Sequence, residues 1–338
     1  MLKKFLIALF AVVAFANLGY ADLLINGAGA TFPYPIYSKW FYEYNKINPS
    51  VTINYQSIGS GGGIRQITNK TVDFGASDAP MTDQQLRDAP APLLHIPTVM
   101  GAVAIIYNLP GVQELKLDGN TLSDIYLGKI TKWNDEKIVK LNPKKNLPDM
   151  QIVVAHRSDG SGTTNIFSDY LVKVSSEWAG KVGKGTALNW PAGIGAKGNE
   201  GVAGAVKQNQ GAIGYSELAY AQMNNLSTAL MKNRAGKFVA PSIAAVTAAA
   251  QGNISKIPSD YRVSITNASG KDSYPISGFT WLLVYKDQTS PEKGRELKNF
   301  LRWALIGPAQ NYAKELLYAP LPGQLVSKVE KTIESINY

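Results

Sequence analysis

The chain has 338 residues, more than one compact core usually holds, so two domains are expected. Hydrophobic residues make up 45% and charged residues 17%, enough apolar side chain for real cores and too little charge for a disordered or coiled-coil chain. With no cysteine and two histidines, disulfides, thiolate metal sites, iron–sulfur clusters and cysteine nucleophiles are excluded, while the formal charge of +9 favours anionic partners without naming one.

In chain order, residues 1–21 read as a secretory leader. Lys3 and Lys4 open it, residues 5–16 form an apolar run, and Gly19-Tyr20-Ala21 precedes a cut expected after Ala21. The alternative of a retained membrane anchor is weakened because the run is shorter than the ~20 residues that span a bilayer. No later segment is apolar and long enough to span, and there is no cysteine to carry a lipid. The mature chain is expected to be free and soluble outside the cytoplasm.

Residues 23–26 form a short apolar strand that runs into Gly27-Ala28-Gly29-Ala30-Thr31-Phe32-Pro33, and a helix follows with Tyr37, Trp40, Phe41 and Tyr44 on one face until Asn48-Pro49 ends it. Val51, Ile53 and Tyr55 alternate as a half-buried strand before the loop Gly59-Ser60-Gly61-Gly62-Gly63 and a short helix through Ile64 and Ile67. The pattern recurs in Val72-Asp73-Phe74-Gly75-Ala76-Ser77-Asp78, after which Thr82 and Gln85 form a capping box. It recurs again where residues 152–155 run into His156-Arg157-Ser158-Asp159-Gly160-Ser161-Gly162-Thr163, with helical Phe167, Tyr170 and Leu171 beyond. This alternation predicts an α/β architecture with mainly parallel sheets. Pro97-Thr98 interrupts two apolar strands, and Tyr274-Pro275-Ile276 precedes a strand over 279–285. If both are crossovers, residues 22–98 plus 277–338 form one lobe and residues 99–276 the other. The C-terminal part reads as helices over 291–306 and 323–336, and the alanine-rich stretch 244–250 as an ordinary helix.

Loops that end strands and open helices present free backbone N–H groups and helix dipoles beyond the carboxyl ends of the strands, a geometry that binds anions. Singly each is weak. Gly27-x-Gly29-x-x-Phe32 lacks the third glycine of a dinucleotide fingerprint, no Walker A pattern occurs, and residues 180–186 read as a surface loop. Residues 59–63 could be a turn or a ligand cradle; Ser60 tips the balance by adding a hydroxyl. The stretch 157–163 is the strongest signal. Arg157 offers a planar fork for an oxyanion, Asp159 can hold it, Ser161 and Thr163 add hydroxyls and Gly162 bares an N–H. Its plainer role would be a surface ion pair on a capped helix. Asp78 would repel an anion, so it is either a helix N-cap or the acceptor of a proton that the ligand carries. In the second case hydrogen phosphate fits, whereas sulfate would set lone pairs against lone pairs. His95 reads as a core or lobe-edge residue, His156 as pointing to the opposite strand face, Asp135 and Glu136 as a solvated helix start, and Trp133, Trp190 and Tyr215 as core or crevice wall. Scattered basic residues without interleaved aromatics argue against nucleic-acid binding.

With these motifs the chain resembles the periplasmic phosphate-binding protein family (PstS), the soluble receptors of phosphate ABC transporters; residues 121–135 and 211–220 look typical of it too. The resemblance implies a two-lobed type II periplasmic binding protein fold with phosphate in the interlobe cleft. It further implies that Thr31 and Phe32 donate backbone N–H groups and Thr31 its hydroxyl, and that Ser60 donates hydroxyl and N–H. Asp78 would accept the phosphate proton, Arg157 would bind the oxyanion while held by Asp159, and Ser161, Gly162 and Thr163 would supply the remaining donors. His156 departs from the family, whose members often have a second basic residue there.

The function expected is capture of inorganic phosphate in the periplasm and delivery to a membrane permease, by a monomer, without cofactor and without bond breakage. A secreted phosphatase would need a metal cluster or an activated nucleophile, which no histidine pair or dense carboxylate cluster supplies. A surface protein using phosphate as a structural ion is the third class.

Overall fold

The computed structural model describes residues 22–338. The leader and the cut expected after Ala21 lie outside these residues.

The chain begins with β1 (Leu23–Gly29), α1 (Tyr34–Ile47), β2 (Val51–Ser57), α2 (Ser60–Thr68), β3 (Phe74–Ser77), α3 (Asp83–Asp88) and the long β4 (Leu93–Tyr107). It continues through β5 (Lys116–Leu117), α4 (Gly119–Tyr126), α5 (Glu136–Leu141), β6 (Val153–Arg157), α6 (Gly162–Val174), α7 (Ser176–Lys181), β7 (Ile194–Ala196), α8 (Gly198–Gln208), β8 (Ala212–Glu217) and α9 (Leu218–Met223). After β9 (Ser227–Thr228), β10 (Leu230–Lys232), β11 (Phe238–Val239) and α10 (Ile243–Gln251), β12 (Ser277–Tyr285) returns to the sheet, and α11 (Pro291–Leu305), α12 (Gln310–Glu315) and α13 (Gly323–Glu334) close the chain.

One sheet runs in the order β2-β1-β3-β12-β4-β8-β6-β7, with β9 also on β4. The expectation of mainly parallel pairing holds only at its two ends: β1 is parallel to β2 and β3, and β6 is parallel to β7 and β8. The middle is antiparallel, because β12 returns against β3 and β4, and β8 runs against β4. β4 joins the two halves. Residues 93–102 pair with β12 and residues 103–107 with β8, so this one strand of 15 residues carries the sheet from one half to the other.

Pro97-Thr98 does not divide two strands, as the sequence suggested, but lies inside β4. Trp281 pairs with Pro97 and Thr280 with Val99, leaving Thr98 as an extra residue in a bulge. A bulge tolerates a residue without an N–H donor. Gln310 Nε2 donates to the Thr98 carbonyl at 3.2 Å, and the Thr98 hydroxyl bonds Tyr37 Oη at 2.8 Å, so the bulge is satisfied.

α1 opens with proline in its first turn and buries Ile36, Tyr37, Trp40, Phe41 and Tyr44, the spacing of one helical face. Phe41 meets Phe300 of α11 at 5.4 Å between ring centroids, and α13 adds Leu325, Val329 and Ile333. A smaller cluster of Ile64, Ile67, Met81 and Leu283 seats α2. The glycine loop at 59–63 is also shorter than expected. α2 starts at Ser60, so Gly61, Gly62 and Gly63 are helical. The reason is contact: a Cβ on Gly63 would stand 2.6 Å from both Ala76 O and Gly29 Cα, so only glycine lets this helix lie against β1 and β3.

Candidate functional site

Each segment singled out in the sequence ends a strand, and the fold turns those ends toward one another. β1 ends at Gly29, whose φ of +146° and whose contact with Ala76 O, 2.0 Å from where a Cβ would sit, both demand glycine. Beyond it the carbonyl of Thr31 accepts from the Tyr220 hydroxyl at 2.6 Å and that of Phe32 from the Tyr318 hydroxyl at 2.7 Å. In a trans peptide C=O and N–H point opposite ways, so tying down the Thr31 carbonyl fixes where the Phe32 N–H faces. The Phe32 ring is fully buried against Gly101 and the edge of Tyr318.

The 59–63 and 157–163 segments meet across the centre. The Gly61 N–H donates to Gly160 O at 2.9 Å. A Cβ on Gly59 would lie 2.3 Å from Asp159 Oδ2, and one on Gly162 would lie 2.4 Å from Ser60 Oγ and 2.6 Å from Asp78 Oδ2. The glycines therefore serve backbone-to-backbone approach between distant parts of the chain. Ser161 caps α6 by accepting from the Thr164 N–H at 3.0 Å, which leaves its own proton free to donate.

Arg157 ends β6 and is 3% exposed. Its Nε donates to Asp159 Oδ1 at 2.7 Å and its Nη2 to Asp159 Oδ2 at 2.5 Å, a fork that fixes the guanidinium plane. The Gly198 N–H adds a bond to Asp159 Oδ1 at 3.1 Å. Burial alone would raise the Asp159 pKa, but Arg157 and Gly198 outweigh it and hold the carboxyl below its usual range. Arg157 is buried and Asp159 largely covered, unlike the surface ion pair of the plainer reading. Because Asp159 neutralises Arg157, an anion here would depend on N–H groups and hydroxyls as much as on net charge.

Asp78 is 2% exposed and does not cap a helix; Thr82 caps α3, with the capping box to Gln85 that the sequence predicted. Asp78 Oδ1 accepts from the Thr280 hydroxyl at 2.9 Å, and Ser60 Oγ accepts from the Asp78 N–H at 3.1 Å. Burial pushes the Asp78 carboxyl up to about 7, although Thr280, Arg157 and Ser60 each favour its ionised form. Asp78 also lines a cavity of about 540 Å³ shared with Asn165, Lys184, Arg262 and Trp281.

Thr31, Phe32, Ser60, Asp78, Arg157, Asp159, Ser161, Gly162 and Thr163 thus lie around one centre. Sequence reading missed Asn199, Thr280 and Tyr220, which join them. Asn199 is fully buried at the start of α8 and donates from Nδ2 to Thr31 Oγ1 at 2.7 Å and to Thr163 Oγ1 at 3.1 Å. The available signal was Gly198-Asn199 after the strand Ile194–Ala196, one more strand end opening a helix. The histidines stand apart from this centre. His95 is buried, accepts from the Met81 N–H at 3.0 Å and is held by burial to about 4. His156 stacks on Trp190 at 4.6 Å.

Residues 17–306 match a family model described as a PBP superfamily domain. The chain is 46% identical over 308 residues to the phosphate-binding protein PstS of Xylella fastidiosa, covering 90% of this chain and 84% of that one. It is 40% identical to the phosphate-binding protein PstS of Methanocaldococcus jannaschii, covering 84% and 79%. Among solved structures, a high affinity periplasmic phosphate-binding protein bound with phosphate at pH 8.5 superimposes with a TM-score of 0.72 at 21% identity, covering 91% and 93%. A phosphate-binding protein from Stenotrophomonas maltophilia does so at 0.70 and 19%, covering 92% and 94%.

Proposed function

The chain belongs to the PstS family of phosphate-binding proteins, with the type II periplasmic binding protein fold, and on that premise we propose how its own residues hold the anion. The protein binds inorganic phosphate as the extracytoplasmic component of an ABC importer. Phosphate sits where the 59–63 and 157–163 segments face each other over Asp78. The N–H groups of Phe32, Ser60 and Gly162 and the hydroxyls of Thr31, Ser60, Ser161 and Thr163 donate to its oxygens, together with the Arg157 edge that Asp159 leaves free. Asp78 accepts a proton that the ligand carries, the single one of hydrogen phosphate or one of the two of dihydrogen phosphate.

The observation that carries this reading is a carboxylate buried among donors: Asp78 is 2% exposed, with Ser60 on one side and Gly162 pressed against it. A buried acceptor is satisfied by a ligand that brings a hydrogen and penalised by one that does not. Charge-assisted hydrogen bonds contribute about 1.5–3 kcal/mol each. Several of them reach the roughly −8 kcal/mol of a micromolar site after the cost of closure.

Residues 22–98 plus 277–338 form one lobe and residues 99–276 the other, hinged where β4 runs on past Thr98 and where the chain returns just before β12. The leader is cut after Ala21 and the protein works as a monomer in the periplasm, handing phosphate to the permease of the importer. It does not bind nucleic acid. No bond is broken: the donors are arranged to hold an oxyanion, and the contact of Ser60 Oγ with Asp78 Oδ2, at 3.5 Å, is too long for a base that would activate the hydroxyl. Isothermal titration with phosphate should saturate at one anion per chain, and a chromogenic phosphoester should stay intact with divalent metals added. Absence of saturable phosphate binding would overturn the reading, and turnover of the ester would overturn its non-enzymatic part.

A further inference from the structure

Asn199 occupies an unusual place in the hydrogen-bond network. Its backbone N–H and its side-chain Nδ2 both donate to Thr31 Oγ1, at 3.2 and 2.7 Å. Nδ2 also donates to Thr163 Oγ1 at 3.1 Å, and Arg157 Nη1 approaches the same oxygen at 3.5 Å. The orientation of the amide is not free, because the Glu217 N–H donates to Asn199 Oδ1 at 3.0 Å and so requires the oxygen on that side and the NH₂ on the threonine side.

A hydroxyl has two acceptor lone pairs and one proton. Where both lone pairs are taken by incoming N–H groups, the only bond left for that hydroxyl to make is a donated one. Thr31 Oγ1 receives two donors from Asn199 alone, and Thr163 Oγ1 receives one from Asn199 and a longer one from Arg157. We propose that Asn199 is a positioning residue that sets the polarity of the phosphate site, turning the Thr31 and Thr163 hydroxyls into obligate donors that have no lone pair left for a ligand proton. Asp78 is then the one place where a ligand proton fits. Thr31 and Asn199 are 168 positions apart, so the polarity is set only when their two parts of the chain are together. This rests on the reading of the site as a phosphate site.

The test is a cycle of phosphate titrations on the full chain: the parent, Asn199→Ala, the pair Thr31→Val with Thr163→Val, and the triple variant, with melting temperatures recorded alongside. Asn199→Ala alone is expected to weaken phosphate on the order of tenfold, because the freed hydroxyls must be ordered by the ligand itself. In the Thr31→Val, Thr163→Val background the same change should cost no more than about twofold, since no hydroxyl remains to be oriented. An equal loss in both backgrounds would overturn the proposal and leave Asn199 a packing residue, as would parent-like affinity in Asn199→Ala. Asn199→Asp, which keeps the acceptor for Glu217 N–H and removes the donors, is the variant that keeps the proposal falsifiable if alanine prevents folding. It should lose on the order of a hundredfold at pH 8 and recover part of that by pH 5.5, when the new carboxyl regains a proton to donate; parent-like affinity at pH 8, or no recovery, would overturn the proposal. A parent chain that does not bind phosphate at all would instead sink the underlying reading of the site.

Discussion

Asp78 and Arg157 oppose each other in charge, and the molecule treats them differently. Arg157 is matched by a bidentate carboxylate, whereas Asp78 has a hydroxyl from Thr280 and, among the described residues, no cation in contact. Arg157→Ala removes a buried charged donor and leaves Asp159 without its partner, so phosphate affinity should fall on the order of 10²-fold or more, read by titration. Near-parent affinity would take Arg157 out of the site. For Asp78 the sign of the pH effect follows from its raised pKa. Its folded value of about 7 exceeds that of an ordinary carboxyl, about 4, so its contribution to stability is fully present below about pH 4 and is lost as pH rises through 7. Asp78→Asn stays neutral throughout. In calorimetry without phosphate, its melting temperature relative to the parent should therefore climb between pH 5 and pH 8; a constant difference would mean that Asp78 is not buried as the structure has it.

At the scale of elements, short glycines decide where helices can lie. Gly63→Ala pushes a Cβ into the backbone of Ala76 and Gly29, and overpacking of this kind costs about 1–3 kcal/mol. The urea midpoint should drop accordingly, and an unchanged midpoint would show that α2 does not rest on β1 and β3 so closely. The same elements explain what could be read from sequence. Arg157, Asp159, Ser161, Gly162 and Thr163 are legible because they fall within one short stretch, 157–163, on one strand end and one helix start, where spacing alone predicts geometry. Thr82 with Gln85, and the buried face of α1, are legible for the same local reason. Asn199, Thr280 and Tyr220 are not, because they reach Thr31 or Asp78 only through pairing across the sheet, over 168 positions or more. Pro97 misled because its missing donor is absorbed by a bulge against β12, which depends on a strand 180 residues further on. The direction of β12 was invisible too, since alternation of strands and helices suggests parallel neighbours and says nothing of a returning strand.

For the whole molecule, the central feature is that donors from distant segments meet only when the two parts of the sheet face each other. Gly61 to Gly160, Asn199 to Thr31 and Tyr220 to Thr31 all bridge those parts, and Arg262 adds bonds to Met81 O at 2.9 Å and to Asp83 at 2.7 Å. These contacts are formed in the structure, which on the two-lobe reading proposed above makes it the closed arrangement. Ligand binding should draw free protein toward it, and small-angle scattering should show a smaller radius of gyration with phosphate than without; identical curves would mean that closure does not accompany binding. On the proposed reading the buried Asp78 acceptor among donors selects the ligand, and isothermal titration of phosphate into protein already bathed in a large excess of sulfate probes that most directly. One saturable site whose affinity sulfate leaves nearly unchanged is the predicted result. Displacement by sulfate on equal terms would contradict it.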